Sequence, residues 1–197
     1  MKNASRWAGH SLLVLATALA TALASACADN ASVGTTGPKS VGGVVADVSE
    51  GNRLPDLTAC PQLAAPDSSI LKLHAYGIGF QVYHWNGTSW GAPTPDAKIF
   101  ADVGGHGQVA THFAGPTWQS NSGSTVVGTV LNRCTPDAAS IAWLSLSAVH
   151  SGNGIFADVT FIQRLNTIGG NAPSTPGVLG QEARVPYTAD YLFYRAP

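Results

Sequence analysis

The sequence predicts an all-β protein with a single antiparallel β-sandwich or barrel-like domain, preceded by a signal peptide and a flexible tether. Charged residues make up only 11% of the 197 residues, while glycine occurs 22 times and proline 12 times. Helical domains are rich in Glu, Lys and Arg, so this composition disfavours them. Short alternating segments separated by turn residues are typical of such β folds. A chain of this length is sufficient for one domain with a core.

The first residues have the features of a signal peptide. Lys2 and Arg6 precede an apolar run over residues 11–24, and small residues follow at the expected cleavage site. The sequence "LASAC" resembles a bacterial lipobox, which predicts lipidation of Cys27; ordinary cleavage at the same bond is the alternative. We therefore divide the chain into a signal peptide (1–26), a lipidated N-terminus with a flexible tether (27–53) and a β-rich domain (54–197).

This N-terminus predicts an extracytoplasmic protein. It would be a lipoprotein of the bacterial cell envelope that contacts the membrane only through its lipid, or a secreted protein if Cys27 is not lipidated. The remaining cysteines, Cys60 and Cys134, form an even pair. Outside the cytoplasm such a pair is most simply a disulfide, and the alternative is two separate buried thiols.

The first predicted strands are 70–76 and 78–85. In the second, Ile78, Phe80 and Val82 face one way, and the intervening residues face the other. Asn86-Gly87 is a hairpin signal because both residues tolerate positive φ. Trp85 and Trp90 flank this turn as either a cross-strand pair or a ligand platform. The later predicted strands are 97–103, 108–113, 124–131, 141–149, 156–165 and 190–195.

The segment 104–118, "GGHGQVATHFAGPTW", is predicted to be a glycine-rich turn that leads into a strand. Alternation over 108–113 would place His112 on the face opposite Val109, Thr111 and Phe113, outside the hydrophobic core. Gly115-Pro116 would end the strand, since proline cannot donate to a ladder, and Trp118 would fold back. We therefore expect His112 and Trp118 to border a polar cleft.

A metal site is the alternative interpretation of the histidines. Neutral imidazoles bind copper and zinc, and the candidate ligands are His74, His84, His106 and His112. The sequence contains no H-x-H pair, no H-E-x-x-H motif and no obvious carboxylate ligand near them. The first expectation is therefore no cofactor, with copper or zinc as the alternative.

Several motifs occur together in the C-terminal two thirds of the chain. They include "GFQVY" at 79–83, "HFAGPTW" at 112–118, "IAWL" at 141–144, "IQRLNTIGG" at 162–170 and "VPYTADY" at 185–191. In this order the chain resembles the domain of unknown function 3455 family of secreted bacterial and fungal proteins, over roughly residues 54–195. The resemblance implies no established activity.

Polar residues within these motifs are the candidates for a site. The predicted ligand-binding set is His112, Trp118, Arg164, Asn166, Tyr187 and Asp190, arranged around a pocket at one end of the fold. Arg164 and Asp190 are predicted to form a partly buried ion pair. The alternative is that the whole set is structural.

The predicted function is non-enzymatic binding of a small molecule or a cell-envelope component. The alternative is a hydrolase or a metal-dependent redox enzyme with a site centred on His112. No catalytic residues are assigned, because no base–nucleophile pair or carboxylate dyad is evident from spacing. Nucleic acid is not an expected partner, since the formal net charge is -1 and lysines and arginines do not cluster.

Overall fold

A computed structural model describes residues 55–197, and these residues form a closed antiparallel barrel of eight strands. The prediction of an all-β, barrel-like domain is therefore confirmed. Cys27, the predicted signal peptide and residues 27–53 lie outside the described residues. The strands are β1 (Ile70–His84), β2 (Thr94–Phe100), β3 (Gln108–Phe113), β4 (Thr117–Ser120), β5 (Thr125–Cys134), β6 (Trp143–Ser151), β7 (Val159–Gly169) and β8 (Glu182–Arg195).

Each strand pairs with its sequence neighbours, and β8 closes the barrel by pairing with β1 over nearly the whole length of both strands, from Ile70↔Arg195 to His84↔Glu182. Among the described residues, every strand therefore has a paired neighbour on both sides. The segments predicted as two strands at 70–85 form the single strand β1. The strand β4 was not predicted, because four residues are too few to show alternation; Gly115-Pro116 lies in the turn before it.

The hairpin signal at Asn86-Gly87 is a turn in the structure. The Asn86 side-chain oxygen accepts hydrogen bonds from the backbone of Thr88 and Ser89, each at 2.9 Å. Trp85 and Trp90 form an isolated antiparallel bridge, and their rings meet edge to face at 5.4 Å. The Trp90 indole N–H also donates to the Thr175 carbonyl at 3.0 Å. These contacts make the tryptophans a structural pair.

The inner face of β1 is the reverse of what apolar alternation suggests. Ile78 and Phe80 lie on the outer wall, 39% and 37% exposed, whereas Gln81 is 2% exposed. At Gly77 an added Cβ would lie 2.5 Å from Cε2 of Tyr191. Small and polar residues therefore line this wall because large side chains from β8 fill the interior beside it.

One end of the interior is densely filled with aromatic rings. We call this the closed end; it contains the start of β1 and the loops 101–107, 121–124 and 152–158. Phe156, from the last of these loops, is fully buried, with its ring centroid 4.9 Å from that of Phe193. The Trp118 ring meets the Phe193 ring edge to face, with the centroids 5.8 Å apart. The loop therefore closes the barrel with an apolar plug.

The lead-in segment before β1 packs on the outer wall and is held by a disulfide between Cys60 and Cys134. This confirms the predicted disulfide. It joins residues 74 apart in sequence, and a loop of that length corresponds to about 4 kcal/mol in the chain-entropy model. A 3₁₀ turn over Pro61–Leu63 follows Cys60. Leu63 is buried there, and its carbonyl accepts a hydrogen bond of 2.7 Å from Gln163 Nε2.

Candidate functional site

The opposite end of the barrel is open and polar. We call the cavity there the mouth; it has a volume of about 230 Å³. It lies where β1 and β3 end and where β2 and β4 begin. The lining includes Gln81, His112, Arg133 and Arg164 as polar groups, together with apolar side chains such as Pro95, Pro116 and Leu144. The mouth therefore combines hydrogen-bonding groups with an apolar wall.

His112 lies inside the barrel, 2% exposed, so the prediction that it lies outside the core is wrong. Its neighbour Phe113 is instead 40% exposed on the outer wall. The alternation of the strand was correctly identified, but alternation alone does not decide which face is inside. The buried imidazole is accommodated because its Nδ1 is 2.9 Å from the Thr117 carbonyl oxygen and its ring stacks on Trp118 at 4.2 Å.

The environment of His112 keeps its imidazole neutral. Burial is the main reason that the pKa of His112 falls from 6.5 to about 3; the hydrogen bond with Thr117 opposes this shift and the positive charge of Arg164 adds to it. Because a carbonyl oxygen can only accept, Nδ1 must carry the hydrogen. The other ring nitrogen, Nε2, is then a hydrogen-bond acceptor.

Trp118 forms a layer beneath His112 and is 1% exposed. Its ring also meets the Tyr191 ring edge to face at 5.4 Å. The indole nitrogen has no hydrogen-bond partner among the described residues. The sequence predicts Trp118 at the rim of the cleft. In the structure Trp118 is not among the residues that line the mouth, and it instead supports His112 from beneath.

Arg164 and Asp190 lie on opposite faces of the sheet, and the predicted ion pair between them is absent. Arg164 is in register with Tyr191 and faces the interior, whereas Asp190 is in register with Leu165 on the outer wall. The Arg164 Nη2 donates to the Ala142 carbonyl at 2.8 Å. The two charges are separated because adjacent register positions point to opposite faces of a sheet.

Asn166 and Asp190 form a separate polar group on the outer wall. Asn166 Nδ2 donates to Asp190 Oδ2 at 2.8 Å, and His74 Nε2 lies 3.6 Å from the same oxygen. Asn166 has a φ of 49° where the register between β7 and β8 shifts. Of the predicted ligand-binding set, these two residues therefore belong to a different surface from His112.

Three phenol groups lie inside the barrel close enough to Arg164 to feel its charge. The Tyr187 and Tyr191 hydroxyl oxygens are 3.1 Å apart, and the Tyr83 hydroxyl donates to the Gly170 carbonyl at 2.6 Å. Burial raises the pKa of all three phenols, most strongly that of Tyr187, while the positive charge of Arg164 acts in the opposite direction. These groups stay neutral at physiological pH and can serve only as hydrogen-bonding groups.

Gln81 and Arg133 were not among the predicted site residues. Gln81 lies against the Tyr187 hydroxyl, but its Nε2 makes no hydrogen bond of normal geometry to any described residue. A signal for Gln81 existed, since the alternation of β1 placed it opposite Phe80. Arg133 comes from the end of β5, after an irregularity in the register between Val130 and Asn132, and no local pattern indicated it.

The mouth carries positive charge. Arg133 and Arg164 both line it, and no aspartate or glutamate is among its lining residues. Within residues 55–197, neither arginine takes part in an ion pair. Arg164 Nε is buried without a hydrogen-bond partner in the same part of the chain.

The histidines proposed as alternative metal ligands are not brought together. His112 is inside the barrel, His74 faces Asp190 on the outer wall, and His84 is exposed at the end of β1. His106 lies in the loop at the closed end, with Nδ1 3.1 Å from Asp102 Oδ1. The described part of the chain contains no group of three or more His, Cys, Asp or Glu side chains that could hold a metal ion.

The chain matches a known protein family over most of the described residues. Residues 65–195 match the model of a family described as "Protein of unknown function (DUF3455)". The curated proteins and the solved structures contain no match to the chain. In the described residues, no helix is long and apolar enough to cross a membrane.

Proposed function

The chain belongs to the DUF3455 family, and we propose that it is an extracytoplasmic binding protein, anchored through lipid on Cys27, whose barrel holds a small molecule or part of a cell-envelope component in the mouth. The observation that carries this proposal is the contrast within one interior: side chains fill the closed end, while the mouth is open and polar. An eight-stranded barrel is just wide enough to be filled by side chains or to hold one small ligand.

The positive charge of the mouth supports binding. Arg133 and Arg164 line the mouth and have no acidic partner among the described residues. Hydrogen bonds to charged groups contribute about 1.5–3 kcal/mol, so a ligand that accepts from these guanidinium groups would gain free energy. The disulfide supports the extracytoplasmic location, because disulfides persist in oxidising compartments.

An enzyme centred on His112 receives less support. A general base works best when its pKa is near the operating pH, whereas burial holds the pKa of His112 at about 3. Among the residues that line the mouth there is also no carboxylate to orient the imidazole. We therefore assign His112 a binding role.

The binding proposal can be tested by screening a chemically diverse fragment library by ligand-observed NMR against the full-length protein and two tryptophan variants. Val130→Trp adds a large ring at the mouth, whereas Val149→Trp adds the same ring at a position that is 76% exposed on the outer wall. Fragments that bind wild type and Val149→Trp, but not a folded Val130→Trp, support the proposal. Equal binding by all three proteins, or no binding at all, would contradict it.

The anchor is tested separately with Cys27→Ser. Wild-type protein should fractionate with membranes, and the variant should be released as a soluble mature protein or remain unprocessed. Mass analysis of the N-terminus provides the second measurement. A wholly soluble wild-type protein with an unmodified N-terminal Cys27 would refute lipidation and leave the binding proposal intact.

A further inference from the structure

We propose that the ligand of the mouth is a small hydroxy acid, a molecule that carries one carboxylate and at least one hydroxyl group. This inference rests on the proposed function and names the ligand class for the same site. It combines the charge of the mouth, the hydrogen-bonding state of His112 and the size of the cavity.

The charge of the mouth calls for an anion. Arg164 is half-buried and, within the described chain, no acidic side chain pairs with it or with Arg133. A cation removed from water without a counter-charge is unfavourable. The guanidinium group binds a planar carboxylate through two parallel hydrogen bonds. A carboxylate therefore matches both the charge and the donor geometry of Arg164.

A second requirement comes from His112. Because Nδ1–H donates to the Thr117 carbonyl, the neutral ring offers Nε2 as an acceptor, whereas the arginines offer donors. A ligand with acceptors alone, such as sulfate or a simple fatty acid, would leave Nε2 unsatisfied. A hydroxyl group supplies the missing donor and can accept a hydrogen bond in return.

Size limits the ligand further. The cavity volume of about 230 Å³ corresponds to about eight water molecules at roughly 30 Å³ each, and it lies below the range of about 300–1,000 Å³ for drug-sized ligands. Pro95, Pro116 and Leu144 provide apolar surface for a short carbon skeleton. The geometry therefore favours a ligand of about ten non-hydrogen atoms over a long acyl chain or an oligosaccharide.

The test is isothermal titration calorimetry on the full-length protein with matched compounds. The panel comprises lactate, 3-hydroxybutyrate and mandelate, with the neutral amide of each and the acid that lacks the hydroxyl (propionate, butyrate and phenylacetate). At least one hydroxy acid should bind about tenfold or more tightly than its amide, because a charged hydrogen bond is lost in the amide. It should bind about fivefold more tightly than the acid without the hydroxyl.

Variants assign these preferences to residues. Arg164→Met should remove the preference for acid over amide, and His112→Phe should remove the preference for the hydroxylated acid. His112→Gln, which keeps one donor and one acceptor, should restore part of the latter preference if His112→Phe folds poorly. Arg195→Met, at the far end of β8, is the matched control and should bind like wild type.

The outcomes separate this inference from the proposed function. If acids and amides bind equally, or if the library screen finds only neutral ligands in the mouth while no panel acid binds, the hydroxy-acid class is wrong and the binding function stands. Equal binding with and without the hydroxyl overturns the role of His112. If neither the library nor the panel yields a ligand, both proposals fail.

Discussion

The two ends of the barrel interior differ in the kinds of side chains that they bury. At the closed end, Phe156 and Phe193 pack ring against ring, and the nearby Ser120 and Ser124 hydroxyls bond each other at 2.7 Å. At the mouth, Arg133 and Arg164 have no acidic partner among the described residues. The closed end is filled by aromatic rings and paired hydroxyls, whereas the mouth retains cationic groups that no acidic side chain among the described residues neutralises.

This difference indicates that the two ends of the same strands have different roles. Interiors gain free energy from dense apolar packing, and functional sites often retain polar groups that do not stabilise the fold. The closed end should therefore carry stability, while the mouth should be tolerant of change or gain stability when its charges are removed.

The largest expected effect comes from opening the closed end. Phe156→Ala removes a fully buried ring, and such substitutions cost about 3–5 kcal/mol. Urea unfolding should show this loss in the free energy of unfolding. A loss below about 1 kcal/mol would mean that the plug of the closed end does not stabilise the barrel as we propose.

The second largest expected effect is a loss of protein stability at acidic pH, caused by the buried imidazole of His112. Above about pH 6.5 His112 is neutral in both the folded and unfolded protein; below it, the unfolded imidazole takes up a proton, while the folded pKa is about 3. Stability should therefore fall as the pH drops from about 6.5 towards 3. At about 1.4 kcal/mol per pH unit, the contribution reaches roughly 3 kcal/mol at pH 4.

The control for this prediction compares unfolding at pH 7 and pH 4 in wild type, His112→Phe and His106→Phe. His106 is exposed in the loop at the closed end but contacts Asp102 and helps to lower the pKa of that carboxyl group, so its variant should lose only the small part of the pH dependence that comes from Asp102 and keep the part that comes from His112. Carboxylates whose pKa is lowered in the fold, such as Asp102, also contribute but remain in His112→Phe. An unchanged pH dependence in His112→Phe would contradict the neutral, buried state of the imidazole.

A smaller effect is expected at the turns. Gly115, at the mouth, and Gly123, at the closed end, have φ values of 102° and 92°, a region that other residues enter at a cost of about 1–2 kcal/mol. Gly115→Val and Gly123→Val should therefore lower the melting temperature similarly. Only Gly115→Val should also weaken a mouth ligand, and equal binding by both variants would argue against the mouth as the site.

The smallest effect is expected for Arg164→Met. It removes a half-buried cation that has no acidic partner in the described part of the chain, so the free energy of unfolding should stay within about 1 kcal/mol of wild type and can increase. Chemical denaturation measures it, with Arg195→Met as the control. A loss of 3 kcal/mol or more would show that Arg164 is a structural residue, in agreement with the alternative that the whole motif set is structural.

The fold class and most strands could be predicted from the sequence because they depend on local patterns, and the disulfide could be predicted from the number of cysteines. Alternation predicts the strands in 78–85 and 108–113, and turn residues predict the turn at Asn86-Gly87. The disulfide follows from an even pair of cysteines in a protein predicted to lie outside the cytoplasm. The same patterns did not separate Ile78 and Phe80 on the outer wall from Gln81 inside. Alternation is symmetric, and a barrel end can hold polar residues on its inner face.

Part of the candidate site could also be predicted, because residue types are visible in the sequence. His112 and Arg164 were identified as residue types suited to a pocket, but Trp118 supports His112 from below, and Asp190 lies on the opposite face of the sheet. Arg133 was missed because its position depends on an irregularity in the register between β5 and β6.

By itself, the sequence determined the alternating strands, the turns between them, the family and the chemical groups available to a site. Only the tertiary structure decided that the sheet closes on itself, which face of each strand turns inward and which end remains open. Local patterns fix the period of a strand, since successive side chains must alternate. The register between strands distant in sequence fixes closure and the inner face, and no single segment contains that information.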